Sequence, residues 1–180
     1  MNNKITLYDK DFKVYIKHDD ILTKVKEIGK EISENFKDKD VILIGILNGS
    51  FMFLSDLAKH ISINCSISFI KVSSYENTNS TGKVTEILGL SDNIENKNVI
   101  IVEDIIDSGL TVKNLRYNLE KHNPKDITIC SLFYKPNANK YIESKPDYSA
   151  FSIDNQFIVG YGLDYNGLGR NLKNIYKLSE

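Results

Sequence analysis

Glu103, Asp104 and Asp107 stand close together and are followed at once by Ser108-Gly109-Leu110-Thr111. Adjacent carboxylates accept hydrogen bonds from hydroxyl groups and attract cations. A small-residue turn that opens a helix offers backbone N–H groups at the helix's positive end, which suits a phosphate. Together these parts suit a sugar phosphate. Each part also has a plainer reading. Acids at a strand end are commonly just solvated, and an aspartate ahead of Ser-Gly serves well as a helix N-cap. The third acid, set beside the hydroxyl-bearing turn, favours the site.

The elements needed to hold that stretch are visible around it. Val99 to Val102 is an unbroken β-branched run, which predicts a strand buried on both faces and ending at Glu103-Asp104. Val41 to Leu47 predicts a second, with Asn48-Gly49-Ser50 turning into a helix over Phe51 to His60. Further strands are predicted over Val14–Ile16, Ser66–Val72, Val84–Leu88, Asp126–Phe133, Tyr148–Ile153 and Phe157–Val159. Ile21, Val25, Ile28, Ile32 and Phe36 recur at helical spacing, with His18-Asp19-Asp20 ahead of them as capping side chains. Val112, Leu115 and Leu119 mark a helix after Thr111 that stops before Pro124. Strands alternating with helices imply right-handed crossovers and an α/β fold with a mainly parallel sheet, helices on both faces. Ligands on such sheets bind beyond the carboxyl ends of the strands. That rim collects Leu47 to Ser50, the polar loop Ser73 to Lys83, Glu103 to Thr111, and Lys135. The loop reads either as a merely mobile connection or as a lid that excludes water during reaction.

Bulk properties narrow the partners. The chain has 180 residues, 41% hydrophobic and 26% charged, with net charge −1. That is one globular unit without the basic excess of a nucleic-acid binder. No apolar run is long enough to span a membrane, and Met1-Asn2-Asn3-Lys4 begins no secretory leader, so a cytoplasmic protein is expected. Cys65 and Cys130 are expected to be buried free thiols. The arginines are Arg116 and Arg170, and an arginine fork matches phosphate better than lysine does. His18, His60 and His122 fall outside every motif, so no histidine base and no zinc site are expected.

Val102-Glu103-Asp104-Ile105-Ile106-Asp107-Ser108-Gly109-Leu110-Thr111 closely resembles the phosphoribosyl pyrophosphate signature of type I phosphoribosyltransferases. The likeness covers nearly the whole chain. It extends to Gly45 through Phe53, Ser74-Tyr75, Tyr134-Lys135, Lys145-Pro146-Asp147, and Phe157 through Asn166 with Arg170. The Phe157-to-Asn166 run is similar to that of the hypoxanthine-guanine phosphoribosyltransferases. The resemblance implies a single catalytic unit over 1–180, with a core of about 18–150 and a small hood from 1–17 and 151–180. It implies Mg²⁺-dependent transfer of phosphoribosyl from phosphoribosyl pyrophosphate to hypoxanthine or guanine, giving IMP or GMP and pyrophosphate. It further implies a homodimer or homotetramer.

Site roles follow from the same resemblance. Asp107 matches the general base near purine N7; an ordinary carboxylate is a weak base at neutral pH, so position or environment must help it. Lys135 matches the donor to O6, and Arg170 a pyrophosphate contact. Leu47, Asn48 and Gly49 match the pyrophosphate loop, with a cis Leu47–Asn48 peptide implied. Asn48 replaces a basic residue common there. Ser74 and Tyr75 match lid residues. Glu103 and Asp104 match the acids at the ribose and the metal, with Asp164 a further metal ligand. Ile106, Ser108, Gly109, Leu110 and Thr111 belong to the 5′-phosphate segment. Phe157 matches the ring stacked on the base and Ile158 the position reading its edge. Three other readings remain at this point: a member preferring xanthine, a regulator binding nucleic acid on this fold, and a generic phosphate-binding module.

Overall fold

The computed structural model describes residues 4–75, 84–90 and 92–179, with backbone alone at 73–75 and 84–88. Its strands are β1 (Lys4–Leu7), β2 (Lys10–Ile16), β3 (Val41–Leu47), β4 (Cys65–Tyr75), β5 (Val84–Leu88), β6 (Asn98–Ile106), β7 (Asp126–Tyr134), β8 (Tyr148–Ser152), β9 (Ile158–Val159) and β10 (Ile175–Leu178). The helices are α1 (His18–Asn35), α2 (Phe51–His60) and α3 (Leu110–Glu120), with a short 3₁₀ turn at Ile142–Ser144. No helix among the described residues is long and apolar enough to cross a membrane.

The main sheet runs β5-β4-β3-β6-β7-β8. β4, β3, β6, β7 and β8 are mutually parallel, and β5 returns antiparallel on β4. The β-branched runs supply its centre because both faces are covered. Val41 to Ile46 and Asn98 to Glu103 are buried at every position. One face packs Leu43, Ile100 and Val102 against Ile21, Val25 and Ile32 of α1 and Phe53, Leu54 and Leu57 of α2. The other packs Ile42, Ile44, Val99 and Ile101 against Val112, Leu115 and Leu119 of α3. This is the expected doubly covered α/β sheet.

A second, antiparallel sheet, β1-β2-β10-β9, joins the two terminal regions over a small cluster of Phe12, Val159 and Tyr176. Its β1 and β10 have no counterpart in the sequence reading. Their burial alternates or is partial, and such short edge strands carry little periodic signal.

Several local expectations are corrected. β6 does not stop at Val102; it continues through Glu103 and Asp104 to Ile106, because β7 pairs with it that far, ending at Ile106↔Tyr134. α1 is entered from Lys17 with no side-chain cap, and Asp19 and Asp20 instead sit in its first turn, where negative charge opposes the helix dipole's positive end favourably. α3 is entered from Gly109, so Asp107 is not its N-cap. Cys65 is half-buried rather than buried, while Cys130 is buried as expected. Residues 76–83 of the expected lid lie outside the described residues.

Ile100 is fully buried in the central strand, so Ile100→Ala is expected to cost about 2–5 kcal/mol through lost burial and a residual cavity. A lowered urea midpoint at unchanged slope is the readout. Ile142→Ala, at a side chain 80% exposed, should shift stability by less than about 0.5 kcal/mol.

Candidate active site

The rim is built outward from β6. Glu103 is 7% exposed and its Oε2 has no hydrogen-bond partner among the described residues. Burial, and then the neighbouring Asp104 charge, push its carboxyl well above the usual range, with a hydrogen bond from the Asp104 backbone opposing them. Asp104 is half-buried, and its Oδ1 accepts the Ile105 N–H at 2.8 Å. Burial pushes its carboxyl up to about 6, against the Ile105 hydrogen bond and the Arg170 charge. Two adjacent acids are thus largely withheld from water, and neither forms an ion pair among the described residues.

Asp104 is also where a second segment arrives. β3 ends at Leu47, the Leu47–Asn48 peptide is cis as the resemblance implies, and Asn48 is exposed. Ser50 folds the loop back, its N–H and Oγ both donating to the Ile46 carbonyl, at 3.2 and 2.7 Å. Gly49 then passes so close to β6 that an added Cβ would fall on the Asp104 carboxylate. A third segment backs this loop. Gly162, at φ +101°, lies against the Gly49 carbonyl with no room for a side chain. Arg170 donates to the Gly162 carbonyl at 2.7 Å and pairs with Asp164 at 2.6 Å. Asp164 also accepts the Gly167 N–H at 2.6 Å. Asn48-Gly49, Asp104, Asp164 and Arg170 therefore form one charged corner.

Beyond β6 the chain makes the tight turn into α3 that the sequence predicts. Gly109 takes φ +81°, which glycine adopts without the usual Cβ clash. A Cβ there would strike the Ser144 hydroxyl. No side chain caps α3, and its first backbone bond runs from Lys113 N–H to the Gly109 carbonyl. The N–H groups of Leu110, Thr111 and Val112 thus lie at the open positive end, with a long contact of 3.4 Å from Leu110 to Ser108 Oγ. Ser108 and Thr111 are exposed beside them, and Ile106 is buried beneath. The turn is buttressed from behind. Lys140 N–H donates to the Ser108 carbonyl at 3.1 Å, and Asn139 Oδ1 accepts from Tyr141 N–H at 2.8 Å and from Ser144 Oγ at 3.0 Å.

The last group meets across the β6–β7 pair. Lys135 N–H donates to the Ile106 carbonyl at 2.9 Å, extending the ladder by one residue. The Lys135 ammonium reaches Asp107 Oδ2 at 2.7 Å and Asn155 Oδ1 at 3.3 Å. Phe157, two residues on, is 43% exposed, with Tyr165 edge-on to it at 5.6 Å and Phe12 at 5.9 Å. Ile158 is buried in β9 opposite Lys177. Ser74 and Tyr75 end β4, and their side chains lie outside the described residues. Asn155, Asn139 and Ser144 were not read from the sequence. Asn155 acts on Lys135, and Ser144 and Asn139 crowd Gly109, each from far along the chain, so composition and spacing carry no sign of them.

Glu103 and Asp104 fit a magnesium ion. They are hard oxygen donors, one with an orphaned buried atom. No cluster of three or more ligating side chains occurs among the described residues. Mg²⁺ keeps waters and substrate oxygens and takes one or two carboxylates, which an adjacent pair can supply. The raised Asp104 value has a defined sign. The fold favours the protonated carboxyl, so its stabilising contribution is complete below the ordinary 3.8 and is lost as pH rises through about 6. A cation binding the ionised form reverses that preference. The thermal stabilisation given by Mg²⁺ with pyrophosphate should therefore grow between about pH 5 and pH 7.5. An equal shift at both pH values would contradict it.

Comparison with known proteins agrees with this geometry. The family described as "Phosphoribosyl transferase domain" matches residues 14–166. A hypoxanthine-guanine phosphoribosyltransferase from Staphylococcus epidermidis is 44% identical over 166 residues, 91% of this chain and 92% of that protein. A hypoxanthine-guanine-xanthine phosphoribosyltransferase from Tritrichomonas foetus is 38% identical, over 93% of this chain and 92% of its own. The crystal structure of a hypoxanthine phosphoribosyltransferase from Staphylococcus aureus superposes with TM-score 0.83 at 37% identity, covering 93% and 91% of the two chains. On one sheet rim the chain gathers a glycine turn opening α3, a glycine-tight second loop and a lysine–aspartate pair, and its similarity throughout its length places it in the phosphoribosyltransferase family, among the hypoxanthine-guanine phosphoribosyltransferases of purine salvage.

Proposed function

We propose that this chain transfers the 5-phosphoribosyl group of phosphoribosyl pyrophosphate to hypoxanthine or guanine, giving IMP or GMP and pyrophosphate. The observation that carries the reading is the Lys135–Asp107 pair at 2.7 Å, with Lys135 buried and Asp107 exposed. A 6-oxopurine presents an acceptor, O6, beside N7 on one edge. A cation and a carboxylate held side by side match that edge. An exocyclic amine at the 6-position would meet the lysine donor-to-donor.

The remaining roles follow from placement. The open turn from Ser108 to Thr111, with the first N–H groups of α3, takes the 5′-phosphate. Glu103 and Asp104 accept the ribose hydroxyls and would hold one Mg²⁺, while Asp164 would serve a second metal ion through its carboxylate and water. When bound, Mg²⁺ offsets the charge that builds on the departing pyrophosphate. Leu47 to Gly49 and Arg170 supply fixed donors at the same end; two partners leave the Arg170 guanidinium unsaturated. Phe157, steadied by Tyr165 and Phe12, offers one ring face to the purine while Ile158 seats it. Asp107 takes the N7 proton as C1 of the ribose bonds to the base nitrogen. Ser74 and Tyr75, at the end of β4 rather than in the loop itself, are assigned to the cover that keeps water from the sugar cation. The same reading takes the protein to work in the cytoplasm as a homodimer or homotetramer.

The test is a panel of hypoxanthine, guanine, xanthine and adenine, assayed with phosphoribosyl pyrophosphate and Mg²⁺. Turnover of the first two and not of adenine is expected; no turnover of any 6-oxopurine would refute the assignment. Asp107→Asn should lower kcat by about 10²–10⁴-fold, as for a lost general base, while product-nucleotide affinity measured by calorimetry stays nearly unchanged. Unaltered kcat would remove Asp107 from that role.

A further inference from the structure

We propose that Asn155 is a positioning residue for base selection: its side-chain carbonyl anchors the Lys135 ammonium so that one N–H is left to face the 6-position of the purine. The inference rests on the reading of Lys135 given above and extends it to a residue outside the matched motifs.

A lysine ammonium carries three N–H donors and accepts nothing. The Lys135 side chain is only 8% exposed, so water cannot readily serve all three. Among the described residues one donor goes to Asp107 Oδ2 at 2.7 Å and one to Asn155 Oδ1 at 3.3 Å. One is left for a ligand. Because lysine only donates, the Asn155 amide must present its oxygen to it, which settles the orientation of that side chain.

The two anchors arrive from different places. Asp107 follows β6, whereas Asn155 lies in the connection between β8 and β9 that leads into Phe157. They also behave differently during reaction. As Asp107 takes up the purine N7 proton its attraction for the ammonium falls, and Asn155 is the partner that stays. An amide oxygen suits that duty, since it accepts from the ammonium whatever the protonation state of Asp107. With both anchors in place, a 6-amino group would meet the third N–H as donor against donor. Without Asn155 the ammonium can swing away from that clash, so a 6-amino base is tolerated better and a 6-oxo base is held less well.

The experiment compares Asn155→Ala and Asn155→Asp with the unaltered protein. Three quantities are read: kcat and KM for hypoxanthine, the hypoxanthine-to-adenine ratio of kcat/KM, and calorimetric affinities for IMP and AMP. Asn155→Ala is expected to raise KM for hypoxanthine about tenfold with little change in kcat. It should also narrow the IMP-to-AMP affinity ratio about tenfold, on the scale of one hydrogen bond to a charged group. Asn155→Asp, which keeps an acceptor in place, should restore both to within about threefold. Because Asn155 is exposed in a connection, Asn155→Ala should leave the thermal midpoint nearly unmoved. Unchanged discrimination in Asn155→Ala, or equal loss in Asn155→Asp, overturns the inference while the assigned reaction stands. Failure of the unaltered protein to use any 6-oxopurine overturns the reaction itself, and this inference with it.

Discussion

The pairing of β6 with β7 is the constraint on which the rest depends. Their parallel register runs from Asn98↔Asp126 to Ile106↔Tyr134, and the Lys135 N–H continues it onto the Ile106 carbonyl. Asp107 and Lys135 are the next residues on each strand, and so they meet. A slip of one position would turn every side chain of one strand to the opposite face. It would part the pair and carry Val99 and Ile101 out of their cluster with α3. The hydrophobic core and the site are thus set by the same ladder. The full burial of Asn98 to Glu103 is what makes the slip costly.

That ladder also carries charge into a poor solvent. Glu103 and Asp104 lie inside β6, and their carboxyls are pushed upward chiefly by burial. Hydrophobic residues in their place would give a more stable sheet. Keeping the acids leaves the rim with buried oxygen acceptors, the chemistry that the proposed reaction would use. It also explains the glycine at position 49, since the Asp104 carboxylate fills the space a side chain would take. Strand, acid and neighbouring loop form one packing problem with a single small-residue solution.

The hood is tied to this rim through a buried tyrosine. Tyr161 is fully buried, stands at φ +47° between two glycines also at positive φ, and donates its hydroxyl to Asp56 of α2 at 2.6 Å. The bond lowers the charge cost of leaving Asp56 half-covered, and Lys59 pairs with the same carboxylate. α2 begins immediately after the cis-peptide loop, so the tie holds Gly162 against Gly49 and brings Asp164 and Arg170 to the charged corner. Phe157 comes from the same C-terminal region, on the side where Asn155 meets Lys135. Parts far apart in the chain are therefore gathered by contacts to two elements, α2 and β7.

Much of this was legible in the sequence. The β-branched runs at Val41 and Val99 and the helical spacing from Ile21 to Phe36 report burial through local periodicity, so the α/β sheet could be read directly. The acids and the turn from Asp107 to Thr111 form one continuous segment, and resemblance to a known family extended the reading to Lys135, Phe157, Asp164 and Arg170. Other features belonged to tertiary structure alone. β6 runs past Val102 because β7 supplies its partner, the residue ahead of α3 is a glycine because Ser144 leaves no room there for a Cβ, and β1 and β10 exist by pairing with β2. Asn155 joins the site through a bond to a residue twenty positions away. A sequence records local preference and burial period; which distant polar groups share one acceptor, or which glycine must clear a carboxylate, is decided only when the chain closes on itself.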